Sequence, residues 1–352
     1  MDISAYRGKK GLLHKVLGDE GLVALHEKSL GSPTLASEFL GYGGVPGSLK
    51  RHWARLGLEN RLAGSRLNVD PLLARERLKT TSDVREMYLN VTMAADEAPM
   101  YEWEVGRDTE WAQLLFTGDW QYGSPEMDYR RFLALVGWIA EHPDVRWIGM
   151  GDYWNLVTSQ SPGLTYREAL TYDQATDLLR EDIAPIMGQC IMLHRGNHDE
   201  RIMKGLQIEF DPVKRWAEEC GVLYGGYSGF VNIVVGDGRK KTTQHYTGFQ
   251  HHGFGGGATL GAVLNAMERL ATQNEADWVA MGHRHQRLAV ESSKSRVVGD
   301  RVEVVGIPLI CTGSFERHLK EGYASKKGLR PSVLGAATAQ LYLDRHSVHG
   351  RT

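Results

Sequence analysis

CIMLHRGNHD, residues 190–199, is a short apolar run that breaks into a polar cluster, Gly196-Asn197-His198-Asp199. The same form occurs twice upstream, in WAQLLFTGDWQ (111–121) and VRWIGMGDYWN (145–155). Runs this short, bounded by glycine and polar residues, read as buried strands. Between them, residues 126–141 and 165–187 read as helices, and further helices are predicted over 200–219 and 258–273. Strand-like runs follow at 229–235 and 242–250, in WVAMGH (278–283), and in the tail segments EVVGIPLICTG (303–313) and ATAQLYLD (337–344). Strands alternating with helices predict an α/β core, and such sheets carry their sites at the carboxyl ends of their strands.

Five polar clusters fall at those ends: Gly118-Asp119-Trp120-Gln121, Gly151-Asp152-Tyr153-Trp154-Asn155, Gly196-Asn197-His198-Asp199, His251-His252-Gly253 and Gly282-His283-Arg284-His285. Singly each is weak, because Gly-Asp after a strand is often only a turn and a lone histidine is usually structural. All five in order are improbable as coincidence. Asp, Asn, Gln and neutral imidazole suit Mn, Fe, Zn or Mg rather than thiolate-seeking metals. A carboxylate able to bridge two ions, flanked by His and amide ligands, makes a two-metal site for attack on phosphorus.

Around this core the composition sets limits. The chain has 352 residues, 42% hydrophobic and 24% charged, enough for two domains or one large domain with an appendage. No run of eighteen apolar residues is present, which excludes a membrane-spanning helix. MDISAYRGKKGLLHK lacks the apolar stretch of a secretory signal. Cys190, Cys220 and Cys311 lie far apart without C-x-x-C spacing, so neither a zinc ribbon nor a disulfide framework is expected, and a reducing, cytoplasmic setting is. The net charge of −2 divides into +5 over residues 1–80 and −7 over the rest.

The basic end has its own pattern. Residues 11–30 carry helical spacing, TLASEFLGY (34–42) reads as a short helix, and GYGGVPGS (41–48) forms a turn before a second helix, SLKRHWARLGL (48–58). This outlines a helix-turn-helix, with Lys50, Arg51 and Arg55 on an exposed DNA-facing side and Leu49, Trp53 and Leu56 packed inward. An ordinary helical hairpin with a solvated basic face is the competing reading. The predicted organisation is a helix-turn-helix-like domain over 1–66, a linker or edge segment over 67–108, and the catalytic domain over 109–352.

In the order and spacing of its clusters, the chain resembles the calcineurin-like metallophosphoesterase superfamily over roughly residues 110–345. The compact arrangement looks closest to the Mre11/SbcD-like nucleases of phage or mobile-element type. The resemblance implies an α/β fold, a two-sheet sandwich flanked by helices, here with an N-terminal all-α helix-turn-helix-like domain. It implies that Asp152 bridges two divalent ions, most often Mn, with Mg, Fe or Zn as alternatives. Asp119, His285 and Gln121 would hold the first, and Asn197, His252 and His283 the second. His198 would orient the scissile phosphate and protonate the leaving oxygen, with Asp199 orienting His198 and Asn155 contacting phosphate or supporting its loop. Adjacent residues of an extended segment face opposite ways, so His252 is the ligand and His251 a substrate contact.

One departure stands out: Gln121 occupies the position of the family's first-motif histidine, and its amide oxygen is a weaker donor. The resemblance also implies a homodimer and an ATPase partner. The leading expectation is therefore a metal-dependent DNA nuclease. A phosphatase or small-molecule phosphodiesterase, and a DNA-binding protein with a degraded metal site, are the alternatives. Trp120, Tyr122, Tyr153 and Trp154 either stack on bases or wall the site. GFGGGA (253–258) only superficially matches a dinucleotide-binding loop, because it does not open a first βαβ unit.

Overall fold

The computed structural model describes residues 98–106, 109–158, 168–201, 203, 210–236, 243–257, 259–298, 300–318, 323–326, 328 and 330–352, together with 20, 22–26, 49, 53 and 56. The chain divides into two units, Met1–Asp96 and Glu97–Thr352. In the first, Leu22, Leu25, Leu49 and Trp53 are helical and buried, and Leu56 is half-buried in a turn. The indole N–H of Trp53 donates to the carbonyl of Leu22 at 3.1 Å, and its ring meets His26 edge-on. Lys50, Arg51 and Arg55 lie outside the described residues.

The second unit is an α/β sandwich of two six-stranded sheets, the architecture expected from the sequence. One sheet holds β2 (Trp111–Thr117), β3 (Arg146–Gly149), β4 (Cys190–His194) and β5 (Leu223–Gly226) in parallel, extended antiparallel from β2 by β11 (Ala337–Tyr342) and β12 (Val348–Arg351). The other runs in the order β1 (Met100–Glu104), β6 (Ser228–Gly236), β7 (Gln244–His251), β8 (Trp278–Met281), β10 (Arg301–Thr312), β9 (Arg287–Val298). Between the sheets lies a dry core that includes Leu114, Phe116, Ile148, Ile191, Ile233, Trp278 and Ile310.

Helices cover the outer faces because their apolar residues recur every three or four positions. In α1 (Tyr129–Glu141) the buried stripe is Phe132, Val136 and Ile139; in α2 (Tyr172–Ile183) it is Ala175, Leu179 and Ile183. Both pack with α3 (Pro212–Cys220) on the β2–β5 sheet, while α4 (Leu260–Gln273) buries Val263, Ala266, Met267 and Leu270 against the other. Burying a side chain such as Phe132 stabilises by about 2–3 kcal/mol. Side-chain caps fix where each helix starts: Asp128, Thr171 in a capping box with Gln174, Asp211 and Thr259.

Two predicted elements need correction. The helix read over 165–187 is α2 followed by a 3-10 segment, Ala184–Gln189, because Pro185 cannot donate to the preceding turn. In the segment read as one helix over 200–219, Arg201 and Met203 are helical, 202 and 204–209 lie outside the described residues, and α3 starts anew at Pro212 behind the Asp211 cap. The segment over 67–108 contributes an edge strand, β1, paired in parallel with β6. Among the described residues no helix is long and apolar enough to cross a membrane.

Candidate metal centre

Strands β2, β3 and β4 of one sheet and β7, β8 and β10 of the other end at a common edge. Backbone bonds lock the loops there: Asp119 N–H donates to Gly151 O (2.8 Å), Gln121 N–H to Asp152 O (3.1 Å), and Phe315 N–H to Asp119 O (3.2 Å). Asp119, Gln121, Asp152, His283 and His285 all have φ between 50° and 66°. Leu156 is the one other non-glycine residue in that region among those described. Each such residue costs about 1–2 kcal/mol, so the strain falls almost wholly on predicted ligands.

Asp152 is the buried hub. Its Oδ1 accepts from the His198 N–H at 2.7 Å, and its Oδ2 lies 3.3 Å from His252 Nε2 and 3.5 Å from Gln121 Nε2. A side chain at Gly196 would overlap Asp152 Oδ1, which is why the third cluster needs glycine there. Burial opposes the charge on Asp152, but His252 and His198 beside it hold its pKa below the usual carboxylate range. The ligand atoms of Asp152, His252 and His283 all lie within 4.8 Å of one another.

The imidazole of His252 is held from behind. Its Nδ1 lies 2.7 Å from the carbonyl of Met150, so Nδ1 carries the proton and Nε2 turns to Asn197 Oδ1 (3.1 Å) and Asp152 Oδ2 (3.3 Å). Burial lowers the pKa of His252, yet Asp152 outweighs it and pushes it up to about 9. The field at Nε2 thus calls for a positive species, a proton or a metal ion. His251, the last residue of β7, instead accepts the Gly253 N–H on its own Nδ1 and packs edge-on against Tyr227 and Phe254.

On the other side, Asp119 Oδ2 accepts the His283 N–H (2.9 Å), and Oδ1 faces His285 Nε2 at 3.2 Å. Gln121 Oε1 is buried without a hydrogen-bond partner among the described residues, and Asp119 Oδ1 is buried facing the His285 ring. Orphaned buried oxygens are costly unless something cationic meets them. An unpaired amide oxygen, the carboxylates of Asp119 and Asp152 and three imidazoles are a donor set that divalent cations fit. Gln121 is inside this set, although its amide nitrogen is the atom turned to Asp152.

Three polar side chains that the motifs did not single out belong here as well. The Glu316 carboxylate lies 3.3 Å from His285 Nδ1, and Glu168 Oε1 accepts from Asn155 Nδ2 at 2.7 Å. Arg201 donates from Nη1 to the Asn155 carbonyl and from Nη2 to His198 Nε2, both at 2.7 Å. Glu316 had a signal, since ICTGSFE (310–316) repeats the strand-then-polar form. Burial raises the Glu168 carboxyl to about 7.

Two predicted roles change with this geometry. Asp199 does not touch the His198 ring; its two oxygens accept the N–H groups of Asp152, Gly196, Tyr153 and Trp154 at 2.8–3.4 Å. The turn after residue 196 brings the carboxylate under the β3 loop, so Asp199 holds the backbone that carries Asp152. His198 Nδ1 donates to the Asn155 carbonyl at 2.7 Å, leaving Nε2 as the acceptor for Arg201, so in this arrangement Nε2 has no proton to give. The Asn155 side chain serves its loop through Glu168. Trp120, Tyr122, Tyr153 and Trp154 are at most 2% exposed and pack into the helix-side core, which makes them walls rather than stacking platforms.

No protein-family model matches the chain, and neither does any curated protein. Among solved structures, a metallophosphoesterase of Sphaerobacter thermophilus is similar at 14% identity and a TM-score of 0.33, over 68% of this chain and 86% of that one. A conserved protein of Streptococcus pneumoniae, described as a predicted phosphoesterase, gives 13% identity and 0.28 over 68% and 94%. Vps29 of Entamoeba histolytica, complexed with zinc, gives 12% and 0.29 over 68% and 97%.

Proposed function

We propose that residues 97–352 form a calcineurin-like metallophosphoesterase that hydrolyses phosphodiester bonds of nucleic acid. The observation that carries this reading is the convergence of Asp152, His252, Asn197 and His283 around atoms left to face one another without hydrogens. Asp119, Gln121, His285 and Asp152 would hold one divalent ion, and Asp152, Asn197, His252 and His283 a second. Ions bound there would supply an activated water and neutralise charge on the phosphoryl oxygens. The chain's own part is to fix these donors before substrate arrives: Met150 O sets the His252 ring, Glu316 lies against His285, and Asp199 holds the Asp152 loop. Nucleic acid as substrate draws its support from the basic excess of residues 1–80 and their helix-turn-helix outline.

The test is hydrolysis by Mn-loaded protein of bis-p-nitrophenyl phosphate, p-nitrophenyl phosphate and linear DNA. The reading expects diester and DNA cleavage that is lost in Asp152→Asn and in the chelated protein. Hydrolysis of the monoester alone would move the assignment to a phosphatase. DNA binding that survives chelation, with no turnover under any divalent ion, would leave only a binding protein.

A further inference from the structure

We infer that Arg201 is a phosphate-binding residue of this centre, donating from its guanidinium to a phosphoryl oxygen of the bound substrate; this rests on the phosphoesterase reading above. The sequence motifs end at Asp199, so nothing in their pattern assigns Arg201 a task.

Arg201 is placed with care. Its Nη1 donates to the Asn155 carbonyl and its Nη2 to His198 Nε2, which fixes the plane of the fork from two sides. His198 Nε2 itself faces Asp152 Oδ2 at 3.9 Å, so a single imidazole separates the guanidinium from the hub of the centre. The side chain is half-buried, with the Glu168 carboxyl that holds the Asn155 side chain close enough to feel its charge. A planar guanidinium matches the spacing of two phosphoryl oxygens and never loses its charge, so it binds this anion where a neutral donor would not.

The bond to His198 makes the contact exchangeable. An imidazole nitrogen is a neutral acceptor, and an anionic phosphoryl oxygen is the stronger one. A phosphoryl group docked beside Asp152 would take the Nη2 hydrogen bond, while Nη1 stays on the Asn155 carbonyl and keeps the fork aimed. Arg201 then does what the neutral His198 ring cannot: it brings positive charge to the phosphoryl oxygens.

The experiment uses the full chain loaded with Mn. Orthophosphate is the probe, read by calorimetry and as an inhibitor of bis-p-nitrophenyl phosphate hydrolysis, in wild type, Arg201→Gln, Arg201→Lys and His198→Ala. Losing one charge-assisted contact should weaken orthophosphate binding by about tenfold or more in Arg201→Gln. Mn affinity should stay unchanged, Arg201→Lys should recover part of the loss, and His198→Ala should retain phosphate binding. Equal phosphate affinity in wild type and Arg201→Gln overturns the inference, as does a matching fall in Mn affinity, which would make Arg201 a support for the metal loops. A wild type that binds no orthophosphate overturns it too. Phosphate binding through Arg201 without any hydrolysis would leave the inference standing and remove the proposed function.

Discussion

His252 Nδ1 lies 2.7 Å from the carbonyl oxygen of Met150, the residue that ends the strand-to-loop passage from β3. A carbonyl only accepts, so the ring is fixed as donor on that side and presents Nε2 to Asn197 and Asp152. A ring preset in this way binds an ion without first choosing a tautomer. Mn should therefore raise the Tm of the wild type; ligand at a hundred times its Kd adds about 2.7 kcal/mol. His252→Ala and Asp152→Asn should each cut metal affinity by at least about tenfold. The check is thermal unfolding with and without Mn. A full Mn-dependent shift in both variants would place the ion elsewhere.

Gln121 gives the first position a weaker donor. Its Oε1 is buried and unpaired among the described residues, while its Nε2 is 3.5 Å from Asp152 Oδ2. Gln121→His offers an imidazole where the amide stands, so the expected result is tighter binding of an ion by the Asp119 side. Titration of Mn followed by electron paramagnetic resonance should show occupancy at lower metal concentration than in wild type. Unchanged occupancy would mean that Gln121 is not among the donors.

The strands that carry this centre were readable because each is a buried run whose polar ending stands out. What escaped the sequence has physical reasons. Of the β9–β10 hairpin, β9 is missed because its half-buried positions in RLAVESSKSRVV (287–298) include Ser292, Lys294 and Arg296, so the alternation of the strand is not written in apolar residues. β5 and β12 have only four residues each, and LYGG contains two glycines. The candidate ligands were chosen from motif order, but the partners that aim them do not follow from it. Asp199 lies inside a motif, yet its link to the Asp152 loop spans 47 residues of chain. Glu316 and Arg201 act through contacts that only the fold creates.

Asp199 provides a direct measure of such a contact. Its carboxylate accepts four backbone N–H groups and is 1% exposed, so removing it leaves buried donors unmet. Asp199→Ala should destabilise the chain by about 3 kcal/mol or more and weaken metal binding, because the loop bearing Asp152 loses its anchor. Asp199→Asn keeps one acceptor oxygen and turns an amide donor toward N–H groups, so it should recover little. Denaturant unfolding without metal, paired with Mn titration, separates the two effects. A stability loss with metal affinity intact would confine Asp199 to the fold.

Glu316 lies 3.3 Å from His285 Nδ1, while His285 Nε2 faces Asp119. Burial lowers the pKa of His285, but Asp119 and Glu316 together raise it well above its ordinary value. Glu316→Gln keeps the shape and removes the charge. Metal affinity should drop by about tenfold, the usual cost of losing a carboxylate behind a ligand histidine. Calorimetric Mn titration is the readout, and an unchanged affinity would show that His285 is oriented without Glu316.

His194 ends β4 and is wholly buried; among the described residues neither ring nitrogen has a hydrogen-bond partner. Strand β5 passes so close that a side chain at Gly225 would overlap the ring. Burial lowers its pKa from 6.5 to about 3. The unfolded chain therefore takes up a proton near pH 6.5, whereas the folded chain resists until about pH 3. Stability from this group is present above pH 6.5 and is lost as the pH falls toward 3. By pH 5 the loss is on the order of 2 kcal/mol. His194→Phe keeps an aromatic ring and removes the proton site, so the difference in stability between pH 7.5 and pH 5 should shrink by roughly that amount. Any packing change brought by the larger ring is common to both pH values, which makes the pH difference, rather than either absolute stability, the quantity to compare. Equal pH sensitivity in wild type and His194→Phe would show that His194 titrates alike in the folded and unfolded chain.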